Sequence, residues 1–286
     1  MLDLSHIPNS QQDIQIFYAN GTAWQTWRKP RKCSYVWIMC IGGGSGGGGG
    51  QGPFDTVGGN GGGSGAVARA LINSQQLPDI LYVQVGRGGA GGANLTNGSA
   101  GTRSWVSLLP VTSIIAQNIV LGSGGGVGAG GTTGTGLASA GESAITTSSA
   151  SFATLSNFIS TAGRPSTAFD GFSDWLPNNP LTSSIVCPGA GANLGGTYGS
   201  ILATSISPLI PAGANGVGGN GGNGITSWKP FYSLGGAGGG NATSGNGGNG
   251  GNGGIGSGGG GGGSATGGTP GKGGDGGDGL VVIISF

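Results

Sequence analysis

Charge is scarce in this chain. Ten lysines and arginines and nine aspartates and glutamates are spread over 286 residues, for a net charge of +1. So small a balance supplies no field to steer nucleic acid or an anionic membrane, and nucleic acid is not expected as a partner. Histidine occurs once, as His6 in a polar opening segment, which leaves a Ser-His-Asp hydrolase without context for its base. Three cysteines, Cys33, Cys40 and Cys187, make no CxxC pair and no Cys/His cluster of the kind that holds zinc. Cys33 and Cys40 stand seven residues apart, an odd offset that sets them on opposite faces of a strand and disfavours a bridge between them. Pairing of either with Cys187 stays open. No run of 18 apolar residues occurs, so no membrane-spanning helix is expected. Met1 to Gln12 lacks the apolar core of a secretory signal. The acidic residues are scattered and form no paired site. The chain therefore reads as not an enzyme, with no catalytic residues and no cofactor expected.

Glycine fills the space. It accounts for 74 of 286 residues, about 26% against a usual ~7%. With only 13 prolines and glycines that come mostly in pairs, a collagen repeat is excluded. A disordered linker is also disfavoured, because 35% of residues are hydrophobic and six are tryptophan. Between Gly245 and Gly254 the residues other than glycine are Asn246, Asn249 and Asn252, spaced by three. The register recurs in Val217, Asn220 and Asn223, and again in Lys272, Asp275 and Asp278. Three fits neither the α-helix nor the strand, but it fits the left-handed polyproline II geometry, which glycine adopts as polyglycine II. Two faces of such a helix are bare and admit a neighbouring backbone; the third carries the side chain. Ordering each glycine costs roughly 0.5–1 kcal/mol more than alanine. Interchain hydrogen bonds at about 0.5–1.5 kcal/mol each must offset that, which predicts a bundle rather than isolated helices.

Short apolar strands alternate with the glycine. Asp13 to Ala19 and Thr22 to Trp27 flank Asn20-Gly21, a strong hairpin signal. Strands are expected over about 34–41, 80–85, 105–109, 114–121 and 280–285, several of them opening straight into glycine. Ala66 to Leu77 reads as a strand, with a short helix as the alternative. The expected fold is mainly β and irregular, a strand platform feeding a polyglycine II bundle, with little α-helix. Four segments follow: 1–41, a β hairpin, strand and attachment region; 42–139, the first part of the bundle; 140–187, an aromatic-containing insertion; and 188–286, the second part with its closing strand.

Several motifs arise from composition alone. Gly43 to Gly47 matches a nucleophile elbow and GxGxxG patterns abound, but neither has the strand–helix context its chemistry needs. Gly273 to Val281 fits one calcium nonapeptide, making Asp275 and Asp278 the one weak metal candidate. That motif works by tandem stacking, and here the equivalent positions elsewhere are asparagine. The run Arg28, Lys29, Arg31 and Lys32 is a solvated corner suited to contact with an acidic protein in an assembly. Aromatics that interrupt glycine are either caps on the bundle or a ligand surface. The receptor-binding candidates are Trp105, Phe158, Phe169, Phe172, Trp175, Trp228, Phe231 and Tyr232, in display segments 93–105, 156–180 and 225–232.

The series Trp24-Gln-Thr-Trp-Arg-Lys-Pro30, the strand Tyr35 to Ile41 and the run Gly42 to Gly50 resemble the opening of glycine-rich bacteriophage virion proteins. Leu77 to Gly92 looks like a second block of that family, and Gly273 to Ile284 like its closing block. More distantly the chain is similar to the tail-fibre tip adhesins of T-even-type phages, in which polyglycine II helices form a sandwich. The resemblance implies a virion protein of a tail fibre or spike that binds a host-cell receptor, a glycan among the options, beside other virion proteins. It also implies a homo-oligomer, with a trimer, the usual state of phage fibres, among the options and no residue pattern that fixes the number. The alternatives are a capsid decoration or tail connector without a receptor, and an ice-binding protein presenting a flat regular face.

Overall fold

A computed structural model describes residues 13–52, 58–110, 118–126, 158–161, 185–192, 199–201 and 208–286. Among them lie eleven strands: β1 (Asp13–Tyr18), β2 (Gln25–Arg28), β3 (Tyr35–Ile41), β4 (Val67–Asn73), β5 (Ile80–Gln84), β6 (Ser104–Ser107), β7 (Ile119–Ser123), β8 (Phe158–Thr161), β9 (Thr226–Trp228), β10 (Phe231–Ser233) and β11 (Leu280–Ser285). A five-stranded antiparallel sheet runs β1-β11-β3-β4-β8, a four-stranded one β2-β5-β6-β7, and β9-β10 form a hairpin.

β3 and β11 lack polar alternation because both of their faces are covered. Val36, Ile38, Cys40, Val281 and Ile283 pack against Trp27, Leu81, Val83 and Val106 of the second sheet. On the other face Met39, Ile41, Leu280, Val282 and Ile284 meet Val186, with Ile185, Phe231 and Ile255 against them. Each fully buried side chain of this size contributes about 1.5–3 kcal/mol. Burial also pushes the Cys40 thiol far above its ordinary pKa, and its Sγ lies 3.8 Å from the Leu121 carbonyl. Cys33, Cys40 and Cys187 are all free thiols, and Cys33 precedes β3 rather than lying in it.

The expected strands are present with small shifts of boundary. Val67–Asn73 is a strand closed by a 3₁₀ turn at Ser74–Gln76, where the Asn73 side chain accepts the Gln75 N–H. Of the expected strand 114–121, residues 111–117 lie outside the described residues, as does most of the insertion 140–187. The flanks of Asn20-Gly21 do not pair with each other. β1 joins β11 and β2 joins β5, so this turn carries the chain from one sheet to the other. Gly21 takes φ +63° and the Ala23 N–H reaches the Asn20 carbonyl at 3.1 Å, so the local turn forms. The partner is chosen by burial: Trp27 is wholly inside the sandwich.

Beyond the strands the backbone continues without a break into glycine helices. Their hydrogen bonds repeat every three residues. In 42–51 the N–H groups of Gly42, Ser45 and Gly48 donate to Ala66, Gly63 and Asn60; those of Gly43, Gly46 and Gly49 to Thr102, Ser99 and Thr96; and those of Gly44, Gly47 and Gly50 to Gly277, Gly274 and Gly271. Its carbonyls accept from Gly89 and Gly92, from Gly259 and Gly262, and from Gly126. This helix thus has six bonded neighbours: 58–66, 94–103, 269–279, 86–93, 257–265 and 124–126. The segment 257–265 is likewise surrounded, by 42–51, 58–66, 187–192, 234–241, 246–255 and 269–279. Positive φ among the described glycines is confined to Gly21, Gly199, Gly216, Gly218, Gly245 and Gly256, all in turns or bends. Threefold bonding on extended, negative-φ backbone is polyglycine II packed hexagonally. A helix with six neighbours has no free face, which is why these two segments are nearly pure glycine. A Cβ on Gly47 would run into the Gly260 carbonyl, and one on Gly260 into that of Ala237.

Candidate functional site

The molecule has two poles. β3 leaves the corner Arg28 to Lys32 and runs into 42–51, so that corner lies at the end of the sandwich away from the glycine. At the opposite end the helices reverse in turns near 94–96, 215–218, 243–245 and 266–268.

At the basic pole Lys29 is part of the fold. Its Nζ donates to the Leu77 carbonyl at 2.8 Å and pairs with Asp79 at 3.2 Å. Arg28, Arg31 and Lys32 are exposed around a concavity of about 530 Å³ that also touches Cys33, Ser74 and Gln75. At the glycine pole the turns expose Leu95 and Val217, the latter 74% accessible. The sequence register placed Val217 on a helix with Asn220 and Asn223, but it sits in the turn between Gly216 and Gly218, both at positive φ; Leu95 lies in the segment 93–105, where no residue type marked it.

The aromatic candidates separate. Trp105 lies half-buried on β6, edge-on to Trp24 at 6.0 Å, and Trp24 meets Tyr82 at 6.4 Å; the Trp105 Nε1 has no hydrogen-bond partner. Trp228 is exposed and pairs with Phe231 at 5.3 Å on the β9-β10 hairpin. Tyr232 is buried with Cys187, Ile201, Ile210 and Leu234, so it serves the interior instead of a receptor surface. Phe158 belongs to the backbone of β8, while Phe169, Phe172 and Trp175 lie outside the described residues. Of the segment 93–105 only the turn at 94–96 lies at the glycine pole; past it the chain is a flank helix of the bundle and then β6.

The outward asparagines form a ladder. Asn220 Oδ1 accepts the Asn249 N–H at 2.9 Å, and Asn249 Oδ1 accepts the Lys272 N–H at 2.8 Å. One turn along, Asn223 Oδ1 accepts from Asn252 at 2.9 Å and Asn252 Oδ1 from Asp275 at 2.9 Å. Asp275 and Asp278 then accept the Gly91 and Gly88 N–H groups, each at 2.8 Å. A surface helix lacks neighbours on its outer side, and these carboxamide and carboxylate oxygens replace the missing carbonyls. The two aspartates perform the same task as the asparagines, and Asp275 is also paired with Lys272 at 3.2 Å. Among the described residues no group of three His, Cys, Asp or Glu could hold a metal ion.

A family model described as a glycine-rich domain matches residues 19–285. The chain belongs to this glycine-rich domain family. No curated protein matches it. The family match spans both glycine-rich stretches of the domain, as does the hydrogen-bond network, in which 42–51 bonds directly to 257–265 and 269–279. Among its described residues no helix is long and apolar enough to cross a membrane.

Proposed function

We propose that this glycine-rich domain is a bacteriophage virion protein, a tail-fibre or spike adhesin that displays host-receptor contacts on a rigid polyglycine II scaffold. The observation that carries this reading is the two-pole architecture: a basic corner at one end, turns at the other, and helices between them bonded on several sides. A backbone so held loses little further freedom when its turns meet a ligand, so binding costs less ordering than it would for a free loop. Arg28, Arg31 and Lys32 are placed to dock on an acidic neighbour in the virion. Leu95 and Val217 at the glycine pole, with Trp228 and Phe231 on the hairpin, are placed to meet the host receptor. The resemblance of Trp24 to Pro30, and of the strand that breaks into Gly42 to Gly50, supports the virion setting.

The test replaces the turns 94–96, 215–217 and 243–244 with Gly-Ser sequence in the phage. Adsorption to host cells is expected to fall at least tenfold while the purified protein keeps its melting temperature. Undiminished adsorption would exclude the glycine pole as the receptor-binding end. Immunogold labelling separates the alternative: label on the shell would make the protein a capsid decoration.

A further inference from the structure

We propose that the outward face of 217–226, 246–255 and 269–279 is a binding site for a neutral polysaccharide chain. In a hexagonal array, a helix with four contiguous neighbours lies on a straight edge. The segment 246–255 bonds to 217–225, 234–241, 257–265 and 269–279, and 269–279 bonds to 246–255, 257–265, 42–51 and 86–93. Four helices, 217–225, 246–255, 269–279 and 86–93, therefore stand in one line and present a flat face.

On that face the carboxamides are fixed. Asn220, Asn223, Asn249 and Asn252 each commit Oδ1 to a backbone N–H of the next helix, and Asn246 Oδ1 takes the Thr269 N–H at 2.9 Å. Pinning the oxygen restricts the amide, so each Nδ2 carries two donors that no group among the described residues uses. All five asparagines are exposed. Four of them, with Lys272 and Asp275, line a shallow groove of about 420 Å³. The Lys272–Asp275 pair cancels its own charge, and no aromatic or aliphatic side chain lines the groove. Such a groove offers an apolar peptide nothing and an anion little. Hydroxyl and ring oxygens can accept from the rows of Nδ2 donors, and hydroxyls can donate to Asp275. The donors recur every three residues, about 9 Å along each helix. A repeating ligand, a linear chain of sugar rings, matches that lattice better than a single small molecule does.

The chain itself supplies the variants that separate binding from scaffolding. Asp275 and Asp278 show that a carboxylate in this register keeps the acceptor role, and Thr226 shows that a hydroxyl does, its Oγ1 taking the Ile255 N–H at 3.0 Å. The quadruple variants N220D/N223D/N249D/N252D and N220T/N223T/N249T/N252T thus keep the oxygens; the aspartate form removes the Nδ2 donors outright, and the threonine form replaces each pair of them with one hydroxyl on a shorter side chain. The purified full chain and both variants would be applied to an array of immobilised neutral and anionic bacterial surface polysaccharides. The unaltered protein is expected to be retained by at least one neutral polysaccharide. Each folded variant should bind that polysaccharide at least tenfold more weakly, at an unchanged melting temperature for the threonine form. Retention by no neutral polysaccharide, equal retention of the variants, or ice shaping without polysaccharide retention would overturn the proposal. It does not rest on the virion setting: the tip-turn variants should bind the array as the unaltered protein does, whatever their adsorption.

Discussion

A single methyl group separates two kinds of glycine in this protein. At Gly260 a Cβ would strike the Ala237 backbone, whereas at Gly267 it meets nothing within 4 Å. Gly260→Ala should therefore cost more than about 3 kcal/mol, since helices bonded on all sides must move apart. Gly267→Ala should be neutral or raise stability by up to about 1 kcal/mol, by restricting the unfolded chain. Thermal melts of the two variants test the pair together, and similar losses in both would contradict hexagonal packing at the centre. Cys40 gives a second prediction. Its thiol pKa is raised by burial, so above the ordinary value of 9.0 the unfolded chain loses this proton while the folded chain keeps it. The unfolded state then binds fewer protons, and stability falls as pH rises beyond that point. Cys40→Ala should flatten that slope in chemical denaturation measured between about pH 8 and 10. In the native protein a thiol reagent should modify half-buried Cys33 before Cys40 and Cys187.

At the scale of elements, the period of three was legible because the bundle interior admits only glycine and a few mostly small residues such as Ser45, Ser257 and Ala237, while asparagine, aspartate and lysine recur on the solvent face of surface helices. Asn246, Asn249 and Asn252 announced 246–255, and Lys272, Asp275 and Asp278 announced 269–279. The strands were legible from apolar runs, and β3 and β11 read as continuous because both faces are buried. Partnership was not legible. Asn20-Gly21 specifies a reversal, but its flanks belong to different sheets because Trp27 buries between them and β1 completes the edge beside β11. Nor could a period locate the two central helices, since a segment surrounded on six sides leaves no residue to mark it. The role of Asn249 was half visible: its outward position followed from the register, while its bond to the Lys272 N–H needed the neighbouring helix. Asn249→Ala should cost about 0.5–1.5 kcal/mol. Asn249→Asp should cost less than about 0.5 kcal/mol, because the acceptor is kept. Equal losses in urea denaturation would mean that the ladder does not hold the outer helices.

Across the whole molecule, sheets and glycine helices share one lattice. β11, β3 and β4 pair side by side, and the segments that adjoin them, 269–279, 42–51 and 58–66, remain side by side. The apolar sandwich fixes the register at one end, and hydrogen bonds carry it to the turns at the other. The account therefore stands on the claim that the long glycine runs are ordered as firmly as the strands. Hydrogen exchange resolved at single amides of the uniformly isotope-labelled protein tests this most directly. The amides of Gly42 to Gly44 and Gly46 to Gly50 should exchange as slowly as those of β3 and β11. Within 246–255, Gly248 and Gly251 should be slow and Asn249 and Asn252, bonded only to side-chain oxygens, faster, a protection pattern with a period of three. Uniform exchange of these glycines at the rate of an unfolded chain would contradict the bundle and the functions built on it.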